Sequence, residues 1–338
     1  MTTIKTPKLW DKTKYTNNSN LGMSTAVWLA ADEYDFNPTF ERFSATQLLK
    51  STKSIILSTR FGMQAGENQT DITDMVPSRM GTALHWSIEQ TWTQDDLRNS
   101  SMRALGVPEH IIDGIRINPE EPELGTYPVY VEIRGYKEIE GVTISGSPDI
   151  IINGQVQDFK STKTYNWIHG GNDDKYCWQG SIYRWIFPDK ITQPTMQVNF
   201  IFTDWNPNKY VADKANYPPY RVGERELKLK PIDTVEDFLR NKVREIKQYQ
   251  DADEADMPPC TPEDVWQKPT VYAYYKNPTS TGRSTANFSS HADAIARKKK
   301  DGDVGRIDIR PGKVGFCVYC PGRAICKQAE TYEMQGLL

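Results

Sequence analysis

The chain has 338 residues, of which 38% are hydrophobic and 25% charged, and its formal net charge is −3. This balance is typical of a chain that packs a core, and it excludes both wholesale disorder and a protein that coats nucleic acid by bulk charge alone. No apolar run approaches the roughly 18 residues of a membrane helix, and residues 1–10 lack the apolar stretch of a secretory signal. We therefore expect a cytoplasmic protein without membrane contact, built as one large domain or as a core with an appendage.

The first helix signals follow a polar segment, residues 1–43, that we expect to be irregular. Residues 44–60 have the composition of a helix, with Ser44 or Thr46 as its N-terminal cap. A polar connector then leads to a second helix, predicted over residues 78–92.

A block rich in β-branched and aromatic residues predicts three strands, over residues 126–139, 142–152 and 155–161. The last two are separated by Asn153-Gly154, a pair that strongly favours a two-residue hairpin turn. Three further elements complete the pattern, namely a helix over 174–187, a strand over 195–205 and an amphipathic helix over 231–251.

The composition changes near residue 252, where turn-rich segments replace the periodic patterns. Three of the five cysteines lie close together in this C-terminal part. We therefore divide the chain into an N-terminal segment (1–43), an α/β core (44–251) and a C-terminal module (252–338). The core has the order helix, three strands, helix and strand.

The strand-rich block carries two aspartates and a lysine that the hairpin would bring together. Asp158 and Lys160 are two apart on one strand and share a face, while the turn folds that strand against the one that follows Asp149. Two carboxylates about 4 Å apart repel by about 4 kcal/mol at an effective dielectric constant of ~20, and a divalent cation removes this repulsion. Mg²⁺ and Mn²⁺ suit such oxygen ligands, so the pattern predicts a metal-dependent hydrolytic site. The alternative is a set of ordinary charges at the end of a hairpin.

Two predicted helices carry polar pairs spaced four residues apart, and this spacing places each pair on one helix face. His85 offers an imidazole ligand on the first helix, and Glu89 offers another carboxylate. Gln179 and Tyr183 offer an amide and a phenol on the second helix, suited to grip a phosphate or to order an attacking water. In the structural alternative, the histidine and the tyrosine pack in the core.

Four short motifs follow one another along the predicted elements: GTALH (81–85), GSPD (146–149), DFK (158–160) and QGSIY (179–183). In this order they resemble the RecB-like branch of the PD-(D/E)XK nuclease superfamily, which includes the CRISPR-associated exonucleases. The resemblance covers residues 44–205. It implies a restriction-endonuclease-like α/β core, with a mixed sheet flanked by helices, and a deoxyribonuclease that depends on Mg²⁺ or Mn²⁺.

The resemblance also assigns roles to single residues. Glu132, on the first strand of the block, is a candidate for the wall of the site. Glu89 is a second candidate for this wall, although it has no assigned counterpart in the family. The residues that the resemblance places in the site itself are His85, Asp149 and Asp158 as metal ligands, Lys160 as the catalytic lysine, and Gln179 with Tyr183 as the Q-x-x-x-Y motif.

Cys317, Cys320 and Cys326 supply three thiols in a turn-rich segment, at a spacing typical of ligands to zinc or to an iron–sulfur cluster. Either site needs a fourth ligand, and Cys260 opens the same module. Cys177 lies between two aromatic residues of a core helix, where we expect a packed thiol. The alternative for the triplet is three reduced, free cysteines.

The triplet resembles the C-terminal cysteines of RecB-like nucleases that carry a [4Fe–4S] cluster. Those families usually take their first cysteine from a segment before the nuclease core, whereas residues 44–60 contain Ser51, Thr52 and Ser54 but no cysteine. Cys260 is the expected substitute, and the arrangement looks like that of phage-encoded members of the superfamily. We expect a [4Fe–4S] cluster here, with Zn²⁺ as the alternative, and either metal would stabilise a segment too short to bury its own core.

Two other features fit nucleic-acid contact as well as a plain structural role. Residues 297–300 form a basic run that either contacts nucleic acid or is simply solvated. Tyr165, Trp167 and His169 lie in a predicted loop after the catalytic strand, where they would stack on an unpaired base or anchor the loop.

The sequence thus predicts a metal-dependent DNA exonuclease that hydrolyses phosphodiester bonds in phage recombination or repair, in the cytoplasm of the host cell. The phage resemblance alone suggests a single-strand annealing protein as a partner. Two alternatives stay open. One is a DNA-binding or adaptor protein on a nuclease scaffold. The other is an enzyme that uses Asp149 and Asp158 as an acid–base pair, for example on sugars, which leaves Lys160 without a role.

Overall fold

The computed structural model describes residues 14–31, 38–64 and 69–338. Residues 1–13 and 32–37 of the predicted irregular segment, and residues 65–68 of the predicted connector, lie outside the described residues. The described helices are α1 (Met23–Ala30), α2 (Ala45–Leu48), α3 (Thr52–Met63), α4 (Val76–Thr93), α5 (Asp95–Ala104), α6 (Glu109–Gly114), α7 (Thr164–His169), α8 (Asp173–Ile186), α9 (Pro207–Ala212), α10 (Ile232–Tyr249), α11 (His291–Lys300) and α12 (Lys327–Met334).

The strands are short and mostly follow one another closely along the chain. Those described are β1 (Tyr15–Thr16), β2 (Arg42–Ser44), β3 (Thr70–Asp71), β4 (Ile115–Ile117), β5 (Tyr127–Val131), β6 (Gly135–Ile139), β7 (Val142–Gly146), β8 (Ile150–Ile152), β9 (Gln155–Thr162), β10 (Thr195–Phe202), β11 (Val222–Lys228), β12 (Val271–Tyr275), β13 (Ala286–Phe288) and β14 (Arg306–Arg310).

The chain divides into two compact units. Unit 1 comprises Met1–Leu49 and Asn68–Glu245, and unit 2 comprises Lys50–Glu67 and Ile246–Leu338. The sequence analysis placed residues 50–67 in the core, whereas the structure groups them with the C-terminal part of the chain. Within the described residues, no helix is both long enough and apolar enough to cross a membrane.

Unit 1 contains a six-stranded mixed sheet, in the order β11-β10-β9-β8-β5-β4, and a three-stranded sheet, in the order β2-β7-β6. Strand β9 runs parallel to β10 and antiparallel to β8. Helix α4 packs on β5 and β9, while α8 packs on β7, β10 and β11. Unit 1 is therefore a mixed α/β structure with sheets flanked by helices, which is compatible with the predicted nuclease-like core.

Buried and half-buried residues alternate along the central strand β10. Along β10, Met196, Val198, Phe200 and Phe202 are buried, and the residues between them are only half-buried. This period of two is the one that a strand requires when its two faces differ in burial. The adjacent hairpin between β8 and β9 turns at Asn153-Gly154 with φ angles of 52° and 74°, which confirms the two-residue turn.

Two of the predicted strands are each divided in the structure. The segment predicted as one strand over 126–139 forms β5 in the six-stranded sheet and β6 in the three-stranded sheet. The segment predicted over 142–152 forms β7 and β8, which return in the opposite order. The chain therefore crosses between the two sheets twice, once after β5 and once before β8.

The helix predicted over residues 44–60 is also divided. Ser44 caps α2 in a reciprocal capping box with Gln47, which confirms Ser44 as the predicted cap. The chain then breaks before Ser51, whose side chain accepts a hydrogen bond from Ser54 N–H and starts α3. The break follows from the serine itself, because its hydroxyl satisfies the free N–H groups of a new helix start.

The structure corrects several further expectations. The predicted irregular N-terminal segment contains α1, and the predicted loop after β9 is the short helix α7. The structure also contains β11, which pairs with β10 but was not predicted. Its residues alternate between exposed and half-buried, so its sequence, VGERELK, lacks the apolar run that would mark a strand.

Unit 2 contains a three-stranded antiparallel sheet, in the order β13-β12-β14, with α11 packed on it. Helix α3 contacts the turn-rich segment Pro321–Ile325 of the same unit. A small apolar cluster stabilises the cysteine-rich end. It consists of Val265, Val314, Cys317, Ala329 and Leu337.

Candidate active site and cysteine cluster

Three candidate metal ligands converge in unit 1 at the two chain crossings. Glu132 directly follows β5 and Asp149 directly precedes β8, and the Glu132 N–H donates to the Asp149 carbonyl at 3.0 Å. His85 reaches them from α4. One ligand atom from each of these three residues lies within 4.8 Å of the other two. In the described part of the chain, no other group of three histidine, cysteine or acidic ligand atoms is this close.

The imidazole of His85 is oriented by strand β9. Its Nε2 lies 3.2 Å from the carbonyl oxygen of Phe159, which can only accept, so we assign the ring proton to Nε2. Nδ1 then faces Asp149 at 3.4 Å and Glu132 at 3.7 Å. Metal-binding histidines commonly donate one ring N–H to such an acceptor and present the other nitrogen to the ion, so the neutral ring is oriented as a ligand.

The backbone of Phe159 also holds Asp149. Its N–H donates to Asp149 Oδ2 at 2.7 Å, while Oδ1 is the oxygen nearer His85. Ile150 pairs with Gln157 in the ladder between β8 and β9, so continuing this register by one pair sets Asp149 opposite Asp158. The hairpin therefore brings both aspartates to the same end of the strand pair.

The two carboxylates of the group favour a positive charge between them. Hydrogen bonding to Asp149, and then to Glu132, raises the pKa of His85 to about 10, although burial and the Lys160 charge oppose the shift. The ion-free site thus holds a proton at neutral pH, and a bound cation would take its place. Carboxylate oxygens with one imidazole nitrogen suit Mn²⁺ and Mg²⁺.

Asp158 and Lys160 form a buried ion pair beside this group. Asp158 is 1% exposed, and Lys160 Nζ donates to its Oδ1 at 2.8 Å and lies 2.6 Å from its Oδ2. Burial raises the pKa of Asp158, and the Lys160 charge opposes that rise. Burial disfavours the charge on Lys160, but the carboxylates of Asp158 and Asp149 raise its pKa above the ordinary value. The amine therefore stays protonated at neutral pH.

One oxygen of Asp158 has an incomplete environment. Oδ2 is buried and, despite its short distance to Lys160 Nζ, accepts no well-directed hydrogen bond from the described residues. A buried carboxylate oxygen without a hydrogen-bond donor is costly. The Lys160 ammonium offsets the charge of Asp158, and the carboxylates of Glu132 and Asp149, with the His85 imidazole, fit a divalent ion.

Gln179 and Tyr183 lie on α8 and support Asp158. Gln179 Nε2 donates to Asp158 Oδ1 at 3.2 Å and lies 2.9 Å from Tyr183 Oη. Burial raises the pKa of Tyr183 far above its ordinary value, so the phenol is neutral. A Cβ atom at Gly146 would lie 2.8 Å from the Tyr183 ring, so the glycine of the GSPD motif lets this ring pack against β7.

The ligand group contains Glu132 in the place that the resemblance gave to Asp158. Glu89 lines the same cleft as His85 and Asp149 but is not in the group. Glu132 has a φ angle of 49°, a conformation uncommon outside glycine, because the chain turns there from one sheet to the other. The available sequence signal was an acidic residue, followed by Ile-Arg-Gly, inside an unusually long predicted strand.

The four cysteines of unit 2 lie near one another beside α3. Burial, and then the neighbouring Cys320, Cys326 and Cys260, raise the pKa of Cys317 to about 11. The Cys317 thiol is therefore protonated at neutral pH in the metal-free protein. In the described residues, no three cysteine sulfurs lie within 4.8 Å of one another.

Serine hydroxyls of α3 face two of these thiols. Ser51 Oγ lies 3.0 Å from Cys260 Sγ, and Ser54 Oγ lies 3.4 Å from Cys320 Sγ. The helix that lacks a cysteine in this sequence therefore contacts the cysteine cluster through its serines.

Cys177 and the basic run at residues 297–300 are not part of the acidic ligand group or of the four-cysteine cluster. Cys177 belongs to unit 1 and donates its S–H to the Lys228 carbonyl at 3.0 Å, but it is half-buried rather than packed in the core as expected. At the end of α11, Arg297 pairs with Asp301 at 3.1 Å. The run at residues 297–300 also lies where cations favour a helix C-terminus, so its plain structural role is sufficient.

No known family model matches the chain, and no curated protein matches it. The chain is similar to the solved structure of SSO0001, with a TM-score of 0.37 and 15% identity, over 66% of this chain and 87% of that one. It is also similar to a phage-related exonuclease from Haemophilus somnus 129PT, with a TM-score of 0.26 and 14% identity, over 64% of this chain and 96% of that one. Both TM-scores are below 0.5, so the functional assignment rests on the geometry of the site.

Proposed function

We propose that the protein is a deoxyribonuclease that depends on Mg²⁺ or Mn²⁺ and degrades DNA from an end. The observation that carries the proposal is the convergence of His85, Glu132 and Asp149 beside the buried pair of Asp158 and Lys160. An acid–base enzyme for sugars would need neither the imidazole ligand nor the protonated lysine. Phosphodiester hydrolysis needs a cation site and a positive charge beside it.

His85, Glu132 and Asp149 would hold the ion, and Asp158, paired with Lys160, would border the site on the side of β9. When bound, Mg²⁺ or Mn²⁺ supplies polarisation of a phosphoryl oxygen and activation of a water molecule.

The remaining steps belong to the side chains of this chain. Lys160 keeps its proton at neutral pH, so its ammonium group stabilises the negative charge that develops on the phosphate. Asp158 fixes the position of that ammonium group. Gln179 donates a hydrogen bond to Asp158 and another to Tyr183. Gln179 and Tyr183 are therefore positioning residues for Asp158.

We also propose that Cys260, Cys317, Cys320 and Cys326 bind a [4Fe–4S] cluster, with Zn²⁺ as the alternative. Three thiolates around one zinc ion would lie about 3.8 Å apart, given a Zn–S distance of about 2.3 Å. The wider spacing of the described sulfurs favours the larger group. A role in phage recombination or repair, and a single-strand annealing protein as partner, rest on the resemblance alone.

The decisive experiment compares linear and covalently closed circular DNA in Mg²⁺ or Mn²⁺. We expect the purified protein to degrade linear DNA, to leave the closed circle intact, and to be inactive in EDTA. Asp149→Asn should lower the rate at least about 100-fold, because it removes a charged ligand. The exposed Asp96→Asn on α5 is the matched control and should keep full activity.

The outcomes separate the candidate functions. Full activity of Asp149→Asn, or activity in EDTA, contradicts the metal-dependent site. Cleavage of the closed circle retains the nuclease and rejects the exonuclease. DNA binding without turnover in either metal supports the non-catalytic adaptor instead.

The cysteine site is tested by anaerobic purification and metal analysis. A cluster should give a broad absorption band near about 400 nm, with iron in the sample, and Cys317→Ser should lose both. Cys177→Ser should keep both. A colourless protein with bound zinc would select the alternative, and a protein without either metal would reject the site.

A further inference from the structure

Helix α7 follows the catalytic strand β9 directly and has two unlike sides. Its inner side is the ring of Trp167, which meets Phe200 and Phe202 edge-on, with centroid distances of 5.5 and 5.7 Å. The Arg225 guanidinium lies 4.5 Å from the centre of the Trp167 ring. Trp167 is therefore the anchor of this helix.

The outer side of α7 is aromatic and open to solvent. Tyr165 is 65% exposed and Ile168 is 38% exposed, and His169 is also exposed. Tyr165 and His169 are four residues apart, and their ring centroids lie 4.2 Å apart with the planes inclined at 45°. Two adjacent rings thus form one exposed aromatic surface.

This surface is held by polar contacts at both ends of α7. The Thr164 N–H donates to Asp204 Oδ1 at 2.7 Å, and Arg225 Nη2 donates to the Trp167 carbonyl at 2.6 Å. Arg225 also pairs with Asp173 at 2.7 Å. These contacts fix α7 without any contribution from the Tyr165 ring. The fold therefore presents that ring to solvent on a rigid support.

We infer that Tyr165 and His169 form a stacking platform for an unpaired nucleobase at the end of the DNA. The inference rests on the proposed function and names the form of its substrate, a strand with at least one unpaired terminal base. Aromatic side chains bind single strands in this way because every base has a π-face. A surface of two rings and one isoleucine is too small for a stable protein interface, which buries about 800 Å² on each partner.

The position of the platform limits which base it binds. Lys160 and Tyr165 are five residues apart, so their backbones are separated by no more than about 18 Å. That distance corresponds to about five base steps of 3.4 Å. The stacked base should therefore lie within about five nucleotides of the phosphate that is cleaved.

The test measures binding separately from cleavage, in the Asp149→Asn background with Mg²⁺ present. The probes are fluorescein-labelled duplexes, one blunt and one with a five-nucleotide single-stranded overhang, titrated by fluorescence anisotropy. Tyr165→Ala should weaken binding to the overhang duplex about five- to 150-fold, with little effect on the blunt duplex. Tyr165→Phe should bind like the parent protein, because the ring remains.

A control variant and a fluorescent base test whether the effect belongs to the Tyr165 ring. Tyr136→Ala removes another exposed tyrosine of unit 1 and should leave both affinities unchanged. A 2-aminopurine base placed in the overhang should lose fluorescence on binding, and this quenching should disappear in Tyr165→Ala. Equal losses on both duplexes, unchanged overhang binding by Tyr165→Ala, or equal weakening by Tyr165→Phe would overturn the platform.

The platform and the hydrolytic proposal fail separately. If the wild-type protein cleaves DNA but Tyr165→Ala binds the overhang normally, only the platform is rejected. If the wild-type protein cleaves nothing but the overhang binds through Tyr165, only the hydrolytic proposal is rejected. If neither duplex binds, both are rejected.

Discussion

The acidic site of unit 1 and the cysteine cluster of unit 2 are built in opposite ways. Glu132 and Asp149 lie at strand ends, joined by a backbone hydrogen bond, and the Phe159 backbone orients both Asp149 and His85. The cysteines lie instead on turns and short 3₁₀ helices around a cluster of five buried residues. A sheet can therefore position candidate ligands without an ion, whereas we expect the turn-rich segment to depend on the metal proposed for its cysteines.

The largest expected difference concerns the removal of one ligand from each site. Cys317→Ser should lose the metal proposed for unit 2 and expose residues 252–338 to limited proteolysis, since so small a core does not hold turns by itself. Asp149→Asn should lose catalysis but keep the wild-type proteolysis pattern. Metal analysis with mass spectrometry of the fragments checks both variants, and a protease-resistant Cys317→Ser protein would contradict the comparison.

A smaller effect is expected at the buried pair of unit 1. Lys160→Met leaves the Asp158 carboxylate buried and uncompensated, and should lower the free energy of unfolding by about 3 kcal/mol. Lys160→Met combined with Asp158→Asn removes both charges and should restore most of this loss. Urea unfolding gives the free energy of unfolding of the wild-type protein, the single variant and the double variant. The exposed Lys299→Met on α11 is the control. An equal loss in the single and double variants would show that the charge pair is not the cause.

The pH dependence of ion binding tests whether a cation displaces the proton of His85 in the acidic site. The folded pKa of His85, about 10, lies above its ordinary value of 6.5. Its proton therefore stabilises the ion-free protein fully below pH 6.5, and this stabilisation is lost as the pH rises through about 10. A cation must displace that proton, so Mg²⁺ affinity should rise between pH 7 and 9 by up to about tenfold per pH unit. Calorimetric titration measures this slope, which should be absent in His85→Gln.

The smallest effect concerns the serines of α3. Ser54→Ala removes a hydroxyl that lies 3.4 Å from Cys320 Sγ. If the proposed [4Fe–4S] cluster is bound, a lost hydrogen bond of about 1 kcal/mol should lower its one-electron reduction potential by about 40 mV, because such bonds favour the more negative, reduced form. Electrochemical titration of Ser54→Ala checks the shift, and the exposed Ser100→Ala on α5 is not expected to show it.

Short-range sequence patterns predicted many elements of unit 1. The features they did not predict depend on contacts between distant parts of the chain. The Asn153-Gly154 turn and the helices over residues 78–92 and 231–251 have strong short-range patterns, and the structure confirms them. The breaks after β5 and before β8 were not predicted, because they depend on which sheet each half of a strand joins.

The ligand group of the candidate site was also predicted only in part. The resemblance pointed to His85 and Asp149, and the structure brings both into the ligand group. The position of Glu132 in this group could not be read from the sequence, because it depends on a chain crossing with a positive φ angle. The serine contacts of the cysteine cluster were also missed, since they join residues more than 200 positions apart in the chain.

The hairpin between β8 and β9 makes the site sensitive to chain length as well as to residue type. Asn153 and Gly154 set the ladder register, and a shift of one residue would turn Asp158 and Lys160 to the opposite face of the sheet. A single inserted residue in this turn would therefore disable the site while every catalytic side chain remained in the sequence. Insertions and deletions should be excluded here even though surface turns elsewhere tolerate them.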